Sequence, residues 1–451
     1  MTLSYDTLLR LSERIPRYTS YPTAPSWRAD LRPEDEAARQ ARLPEPASVY
    51  VHIPFCVEQC SFCACNQVVA GRRDAATRYL NALDAQIRRL PLPRETHPIA
   101  RMAWGGGTPT WLSPQELTQL HSLLTRRFVP IDGAELDVEL DPEITSSEQL
   151  QVLARLGTTR VSMGVQSFDA GVLEAVGRPQ RAERVAAVLS EARSLGMRGL
   201  NIDLMYGLPR QGLAVFAQDL AETIRLNPDR IAVFGYAHVP WLKPHQRRLD
   251  AFPRPEGEER LQLFLLAHET LRAAGYEPIG FDHFARPDDA LAEAARERRL
   301  HRNFMGYTTR PDLEQLGLGV SAISEHHDAW FQQTSKLSTW WRQAEAGQPT
   351  LERGALLTPE DRLRKHIINQ IMCNLALDFE ELAARFDLDP PIDLAPELAS
   401  LAPLQALGLV TLSPWGLKVT EHGRLVVRNV AAAFDPGLAA PQRAPRFSQA
   451  V

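Results

Sequence analysis

The chain has 451 residues, 44% of them hydrophobic and 23% charged, with a net charge of −5 at neutral pH. That balance suits a globular protein and argues against a general nucleic-acid binder, while five cysteines are too few for a disulfide-stapled secreted scaffold. No apolar run approaches the roughly 20 residues that span a bilayer, and the first twenty residues mix charged with apolar positions, so a reducing cytoplasm is the expected location.

Residues 1–45 show no convincing strand–helix alternation, and Pro16–Trp27 (PRYTSYPTAPSW) reads as an extended, turn-rich arm. From Ser48 a rhythm begins. Strands are predicted over Ser48–Ile53, Ile99–Trp104, Glu135–Leu140, Thr159–Gly164, Gly199–Leu204 and Arg230–Phe234. Helices are predicted between them, over Ala75–Leu90, Ser113–Arg127, Ser147–Leu156, Arg181–Leu195 and Leu213–Leu226. The second opens on Ser113-Pro-Gln-Glu, a hydroxyl at the cap and proline at the first helical position. Six strands joined by helices imply parallel pairing, in either a barrel or a doubly wound sheet. Distinctive residues follow or end each strand in turn, and only a barrel would gather all of them on one rim, so the barrel is preferred. Pro278–Phe284 and Gln315–Val320 are predicted to flank or extend it. After residue 345 the character changes. Pro359–Leu377 reads as helix and Ala399–Val427 as helix, strand, turn, strand, a winged-helix-like pattern. Its hairpin carries only Lys418 and Arg424 as positive charges, which favours a cover over a nucleic-acid reader. The domains expected are therefore 1–45, 46–345 and 346–451.

Four cysteines lie within ten residues, in YVHIPFCVEQCSFCACN (Tyr50–Asn66), directly after the first strand. Cys56, Cys60 and Cys63 make C-x3-C-x2-C. Three thiolates on one loop can hold three corners of a cubane and leave its fourth iron open for chemistry. Structural zinc is the competing reading, with His52 as a fourth ligand, although zinc sites usually split their ligands into two separated pairs. After the second strand, Gly105-Gly106-Gly107-Thr108-Pro109-Thr110 offers backbone that a ligand can approach closely.

With Phe62 the loop completes C-x3-C-x-F-C, which resembles the radical S-adenosylmethionine (SAM) enzymes. Cys65, in C-x3-C-x2-C-x-C, narrows the likeness to oxygen-independent coproporphyrinogen III oxidases. PRYTSYPTA, GFDHFARPDD (Gly280–Asp289) and LHRNFMGYTT (Leu300–Thr309) are similar to that family too, and the likeness runs from Pro16 to Phe447. It implies a partial (β/α)6 radical SAM barrel with an N-terminal arm and a mainly helical, winged-helix-like C-terminal domain. It further implies a [4Fe-4S] cluster on Cys56, Cys60 and Cys63, two SAM molecules per chain, and oxidative decarboxylation of two propionates of coproporphyrinogen III to vinyl groups in haem biosynthesis. Tyr50, Gly106, Glu139 and Ile323 correspond to contacts with the cluster-bound SAM. Phe62, Gly107, Thr108, Gln166, Arg178, Asp203 and Ala237 correspond to contacts with the second. Cys65 is not expected as a ligand, since a fourth thiolate would occupy the open iron; it is a candidate for loop shape or turnover. Threonine at 108 replaces the superfamily's usual glutamate, as in this branch, and glycine stands at 235 and 177 where asparagine is common. Arg17, Arg286 and Arg302 are candidates to clamp substrate propionates, guanidinium being a bidentate partner for carboxylate. An electron donor and acceptor, neither identified, no nucleic acid, no membrane span and a monomer complete the expectation. Rival readings are a haem-chaperone relative, which typically has no such arm and an aromatic residue in place of Cys65, and a radical SAM methylase.

Overall fold

The computed structural model describes residues 5–12, 14–71, 74–311 and 313–438. Its centre is six parallel strands: β1 (Ala47–Ile53), β2 (His97–Gly106), β3 (Phe128–Leu140), β4 (Arg160–Gln166), β5 (Leu200–Tyr206) and β6 (Arg230–Gly235). They pair in chain order, β1 beside β2 through to β6. Parallel crossovers share one hand, so strands in unbroken order keep all their helices on one face and curl the sheet around the other. A doubly wound sheet would reverse its order midway, and this one does not. It is also not closed: Gln315–Leu318 adds a parallel strand beside β1, and Ile323–His326, Ala329–Gln333 and Leu351–Leu356 continue antiparallel. Beyond β6 come His283–Ala285 and Glu277–Ile279. The sheet of 12 strands is therefore a partial barrel with wings.

Alternation sorts the two faces. Along β4, Val161, Met163 and Val165 are buried against the helices, whereas Arg160, Ser162 and Gly164 face inward and stay partly accessible. Along β5, Leu200, Ile202 and Leu204 are buried and Asn201, Asp203 and Met205 face the interior. The outward set packs with Leu150, Leu153, Val185, Leu189, Phe216 and Leu220 in one core, each such side chain stabilising by about 1.5–3 kcal/mol. Ser113 caps its helix as expected: its hydroxyl accepts from the Glu116 N–H and the Glu116 carboxylate accepts from the Ser113 N–H.

Two expectations need correction. The N-terminal region is not only an extended arm, since Pro33–Gln40 forms a helix with proline near its start and Asp35 accepting from the Arg32 N–H. In the C-terminal region the predicted second strand stops at Val419. Gly423–Val426 is a 3-10 turn and Val427–Ala432 a helix, because Val426, Val427, Val430 and Ala431 are buried at helical spacing. The remaining hairpin, Val410–Ser413 with Gly416–Val419, joins Ala376–Asp378 in a three-stranded sheet. The family likeness at Phe447 lies outside the described residues. Tyr18 donates to Asp435 at 3.0 Å and Arg428 to the Pro16 carbonyl at 3.0 Å, so the arm and the C-terminal helices are sewn together.

Candidate active site

The cysteine loop leaves β1 through a two-residue pairing of Phe55–Cys56 with Val68–Val69, closed by Val68 N–H to the Pro54 carbonyl at 2.7 Å. Its tip is fixed from outside. The Ser61 N–H bonds the Val176 carbonyl at 2.8 Å. The segment after β6 grips its backbone: Gln246 Nε2 donates to the Phe62 carbonyl at 3.0 Å and to the Ala237 carbonyl at 3.2 Å, His245 Nε2 donates to the Cys63 carbonyl at 2.8 Å and Lys243 Nζ to the Cys65 carbonyl at 3.2 Å. Phe62 packs with Val172, Val176, Leu208 and Tyr236, anchoring the loop to the barrel edge.

Cys56, Cys60 and Cys63 are free thiols lining one cavity of about 420 Å3. Donors reach two sulfurs, Thr108 Oγ1 at 3.6 Å from Cys56 and Arg178 Nη1 at 3.6 Å from Cys60. Burial pushes the Cys56 thiol up to about 11 and raises Cys60 as well, so metal loading would release protons. Among the described residues no three histidine, cysteine, aspartate or glutamate side chains converge closely enough for a single ion. A cubane instead spreads its thiolates over separate irons. His52 is no fourth ligand: its Nε2 donates to the Asn66 carbonyl at 2.8 Å and its Nδ1 accepts from the Tyr50 hydroxyl at 3.2 Å. Burial pushes that imidazole down to about 4 and keeps it neutral. The donor set, with a vacant cavity wall beside it, fits an iron–sulfur cube.

The glycine turn needs its glycines. Gly106 has φ +112°, and a Cβ there would sit 2.4 Å from the His52 ring; at Gly107 it would sit 2.7 Å from the Phe55 carbonyl. Gln149 holds the turn from its helix, donating to the Thr110 and Leu112 carbonyls at 2.6 and 2.7 Å. Glu139 ends β3 with one oxygen accepting from the Gly106 N–H at 2.9 Å. Its carboxyl opens onto the cavity and is pushed up to about 7, by burial first and by nearby Asp203. Asp203 is raised by burial too, although it accepts from Asn201 Nδ2 at 2.6 Å. Among the described residues neither carboxylate forms a salt bridge, so both await a cationic or hydroxyl-bearing ligand. Gln166 adds a buried Oε1 with no hydrogen-bond partner among the described residues, on a residue held at φ +70°. Asp219 secures that turn, accepting from the Phe168 N–H at 2.6 Å and the Ser167 hydroxyl at 2.8 Å. Arg178 pairs with Asp141 at 3.4 Å and donates to the Gly164 carbonyl.

A second cavity of about 800 Å3 adjoins the first and fills the barrel interior. Cys65, Gly106, Glu139, Ser162 and Asp203 line both. Tyr50 and Ile323 line only the large chamber, and Phe62, Gly107, Thr108, Gln166 and Arg178 only the small one. Ala237 lines neither. It meets the cysteine loop through Gln246. The hairpin His301–Asn303 with Gly306–Thr308 closes part of the chamber, presenting Phe304, Met305 and Tyr307.

The three arginines are not brought together. Arg17 and Arg302 are buried near Asp282, Arg302 pairing with it at 3.3 Å beneath the Phe281 and Tyr307 rings. Neither lines the chamber. Arg286 sits at the opposite end of β6 from the rim, bonded to Asn227 at 2.8 Å and Asp288 at 3.3 Å. Its neighbours are the residues that enter β6, so the three arginines do not form one cluster. The two departures at glycine have reasons. A Cβ at Gly235 would meet Arg260 Nη2 at 2.7 Å and the Tyr206 hydroxyl at 2.8 Å, and Gly177 ends its helix at φ +66°, where asparagine and glycine are interchangeable. Composition and motifs did not single out Lys243, His245, Gln246, Gln149 or Asp219. Lys243, His245, Gln246 and Gln149 stand near a helix start, and Asp219 is an acid in the middle of a helix whose neighbours Phe216 and Leu220 are buried.

Residues 50–221 match the model of the Radical SAM superfamily and residues 357–426 that of the HemN C-terminal domain. The oxygen-independent coproporphyrinogen III oxidase of Salmonella typhimurium is 42% identical over 440 residues, covering 97% of this chain and 96% of the relative. That of Escherichia coli is 41% identical with the same coverage, and that of Synechocystis 37% identical over 99% of this chain and 98% of the relative. The solved structure described as coproporphyrinogen III oxidase from Escherichia coli, a radical SAM enzyme, superposes with a TM-score of 0.90 at 40% identity, covering 94% of this chain and 100% of that one.

Proposed function

Since the chain belongs to the oxygen-independent coproporphyrinogen III oxidase family of radical SAM enzymes, we propose that Cys56, Cys60 and Cys63 hold its [4Fe-4S] cluster and that the two adjoining cavities take SAM and the tetrapyrrole. The enzyme oxidatively decarboxylates two propionate side chains of coproporphyrinogen III to vinyl groups, giving protoporphyrinogen IX. When bound, the cluster supplies the electron that splits SAM and so provides a radical able to take hydrogen from an unactivated propionate carbon.

The chain's own residues bind and orient. Glu139 and Asp203 supply the acceptors that a sulfonium amino acid with ribose hydroxyls needs, and Gly106 and Gly107 keep side chains out of the turn that a ligand approaches. Tyr50, Gly106, Glu139 and Ile323 are assigned to the SAM at the cluster. Phe62, Gly107, Thr108, Gln166, Arg178, Asp203 and Ala237 are assigned to a second SAM. Gly106, Glu139 and Asp203 lie where the two cavities join, within reach of the cysteine loop, and the count of two molecules rests on the family likeness. Cys65, at the junction, is positioned to meet both reactants. The arm and residues 346–451 act as covers, since helix Pro359–Asn374 donates through Asn369 to the Arg302 carbonyl behind the chamber's hairpin. Among the described residues no helix is long and apolar enough to cross a membrane. A reducing cytoplasm suits a cluster of free thiols, and the enzyme works there as a monomer with an electron donor and an electron acceptor.

One observation carries this reading: three free thiols and two carboxylates without cations converge on adjoining cavities at one rim. Anaerobically reconstituted protein, with about four iron and four sulfide per chain, should convert coproporphyrinogen III with SAM and a reductant to the divinyl product and release 5′-deoxyadenosine. Release of 5′-deoxyadenosine with no vinyl formation, or methyl transfer instead, would reject it.

A further inference from the structure

The lower part of the chamber carries no motif. Arg101, Asp137, Arg160, Asn201 and Arg230 come from the five adjacent strands β2 to β6 and line it together. Register does the gathering: Asp137 lies opposite Arg160, and Asn201 opposite Arg230. Barrel interiors are ordinarily filled by branched apolar side chains, so this layer is not there for packing. Two of its arginines have their own carboxylates. Arg101 Nε donates to Asp137 at 2.8 Å, and Arg230 Nε forks onto both Asp289 oxygens at 2.9 Å.

Arg160 has none. Glu135, Asp137 and Asp289 stand 3.7, 3.8 and 3.7 Å from it, beyond hydrogen-bond reach, and Glu135 is itself 43% exposed. The Arg160 side chain is only 13% exposed, and its Nη2 is buried without a hydrogen-bond partner among the described residues. Among the described residues Asp137 Oδ1 and Asn201 Oδ1 accept no hydrogen bond either, so neither takes up the Arg160 guanidinium. Gly199, at φ +71°, makes the space: a Cβ there would lie 2.4 Å from Arg160 Cζ. A guanidinium placed so deeply without hydrogen bonds is costly unless something else completes it. Burial, and after it the neighbouring Arg160, push Arg230 down to about 10.

We propose that Arg160 anchors a non-reacting propionate of the tetrapyrrole on the barrel floor. Coproporphyrinogen III has four propionates of which two react, so at either decarboxylation other carboxylates point away from the rim. Arg160 lies two residues below Ser162, the register partner of Glu139, and four below Gly164, about 7 and 13 Å along the strand, the larger span being on the order of a tetrapyrrole's breadth. One ring system can therefore meet Cys65 and Glu139 at the rim while a carboxylate on its far side accepts from the Arg160 guanidinium. The assignment rests on coproporphyrinogen III being the substrate.

The stable fluorescent analogue coproporphyrin III and its tetramethyl ester separate the two ideas. Cluster-loaded wild-type protein should bind the acid in preference to the ester. Arg160→Gln should lose about tenfold in affinity for the acid and nothing for the ester, while its SAM affinity and substrate-free release of 5′-deoxyadenosine stay at wild-type levels. Arg160→Lys keeps the charge but not the fork, and Gly199→Ala displaces the guanidinium without removing it; each should reduce the acid preference severalfold. They decide the matter if the glutamine variant does not fold. Full acid preference in both of these variants overturns the anchor even in an enzyme that turns over normally. Wild-type protein that binds neither porphyrin overturns the substrate reading and the anchor with it.

Discussion

The rim and the floor of the barrel are built on the same strands and to opposite rules. At the rim the cysteines and Phe62 share one loop and the glycines one turn, joined by single strand-end residues such as Glu139, Gln166 and Asp203, and backbone geometry does much of the work. On the floor every group comes from a different strand, two residues or more below its rim counterpart, and side-chain charge does the work. The difference teaches that cofactor chemistry can be stored in local sequence, whereas a substrate chamber is stored in register. It also separates the expected phenotypes: rim changes should stop SAM cleavage with or without substrate, and floor changes should leave cleavage intact. The largest effect tests this directly. Cys56→Ser, Cys60→Ser and Cys63→Ser should each abolish both 5′-deoxyadenosine and vinyl product, with loss of the cluster's visible absorbance. Normal turnover in any one of them would remove that residue from the ligand set.

That contrast explains what sequence reasoning could reach. The six strands, their helices and the rim residues were readable because alternation, Ser113-Pro-Gln-Glu and C-x3-C-x-F-C are short-range signals. Strand β3 starts at Phe128 rather than at Glu135 because its first half, FVPIDGA, is mostly exposed and lacks inward–outward contrast. The helix at Val427–Ala432 hid behind valines that favour strands in isolation, until burial at helical spacing decided otherwise. The partners of Arg17, Arg286 and Arg302 are illegible for a related reason: the motifs beside them do not show that Arg302 pairs with Asp282 and Arg286 with Asn227 and Asp288. Arg160 was visible only as a strand's first residue. Nothing short-range distinguishes it from a surface charge.

A conformational test sharpens the rim's side of the comparison. Gly106→Ala must adopt φ +112° and place its Cβ 2.4 Å from the His52 ring, which also disturbs the Tyr50 hydroxyl bonded to that ring. With strain and collision together at about 3 kcal/mol, SAM cleavage should fall on the order of 100-fold while iron content stays near wild type. Equal cleavage rates would show that the turn is a mere connection. On the floor, Asp137→Asn leaves Arg101 buried without its charge partner. Breaking such a pair costs about 3 kcal/mol, which a drop in Tm should register while cleavage of SAM in the absence of tetrapyrrole continues. If cleavage fails in proportion to stability, rim and floor are one cooperative unit and the separation argued above is lost.

The smallest effect is a pH dependence, and it distinguishes an empty rim from a filled one. Glu139 is raised from 4.5 to about 7 because burial and Asp203 disfavour its charge. Its contribution to stability is therefore fully present below pH 4.5 and is lost as pH rises through 7. Because the carboxyl opens onto the cavity, solvent screening limits the effect to about 1 kcal/mol. Without SAM, Glu139→Gln should match the wild type in Tm at pH 5 and exceed it by a degree or two at pH 8. A cation beside the carboxylate favours the ionised form, so SAM should raise the wild-type Tm more at pH 8 than at pH 5. The same addition to Glu139→Gln should show no such growth. If the gain is equal at both pH values in the two proteins, Glu139 does not face the charged end of SAM, and its bond to Gly106 only braces the turn.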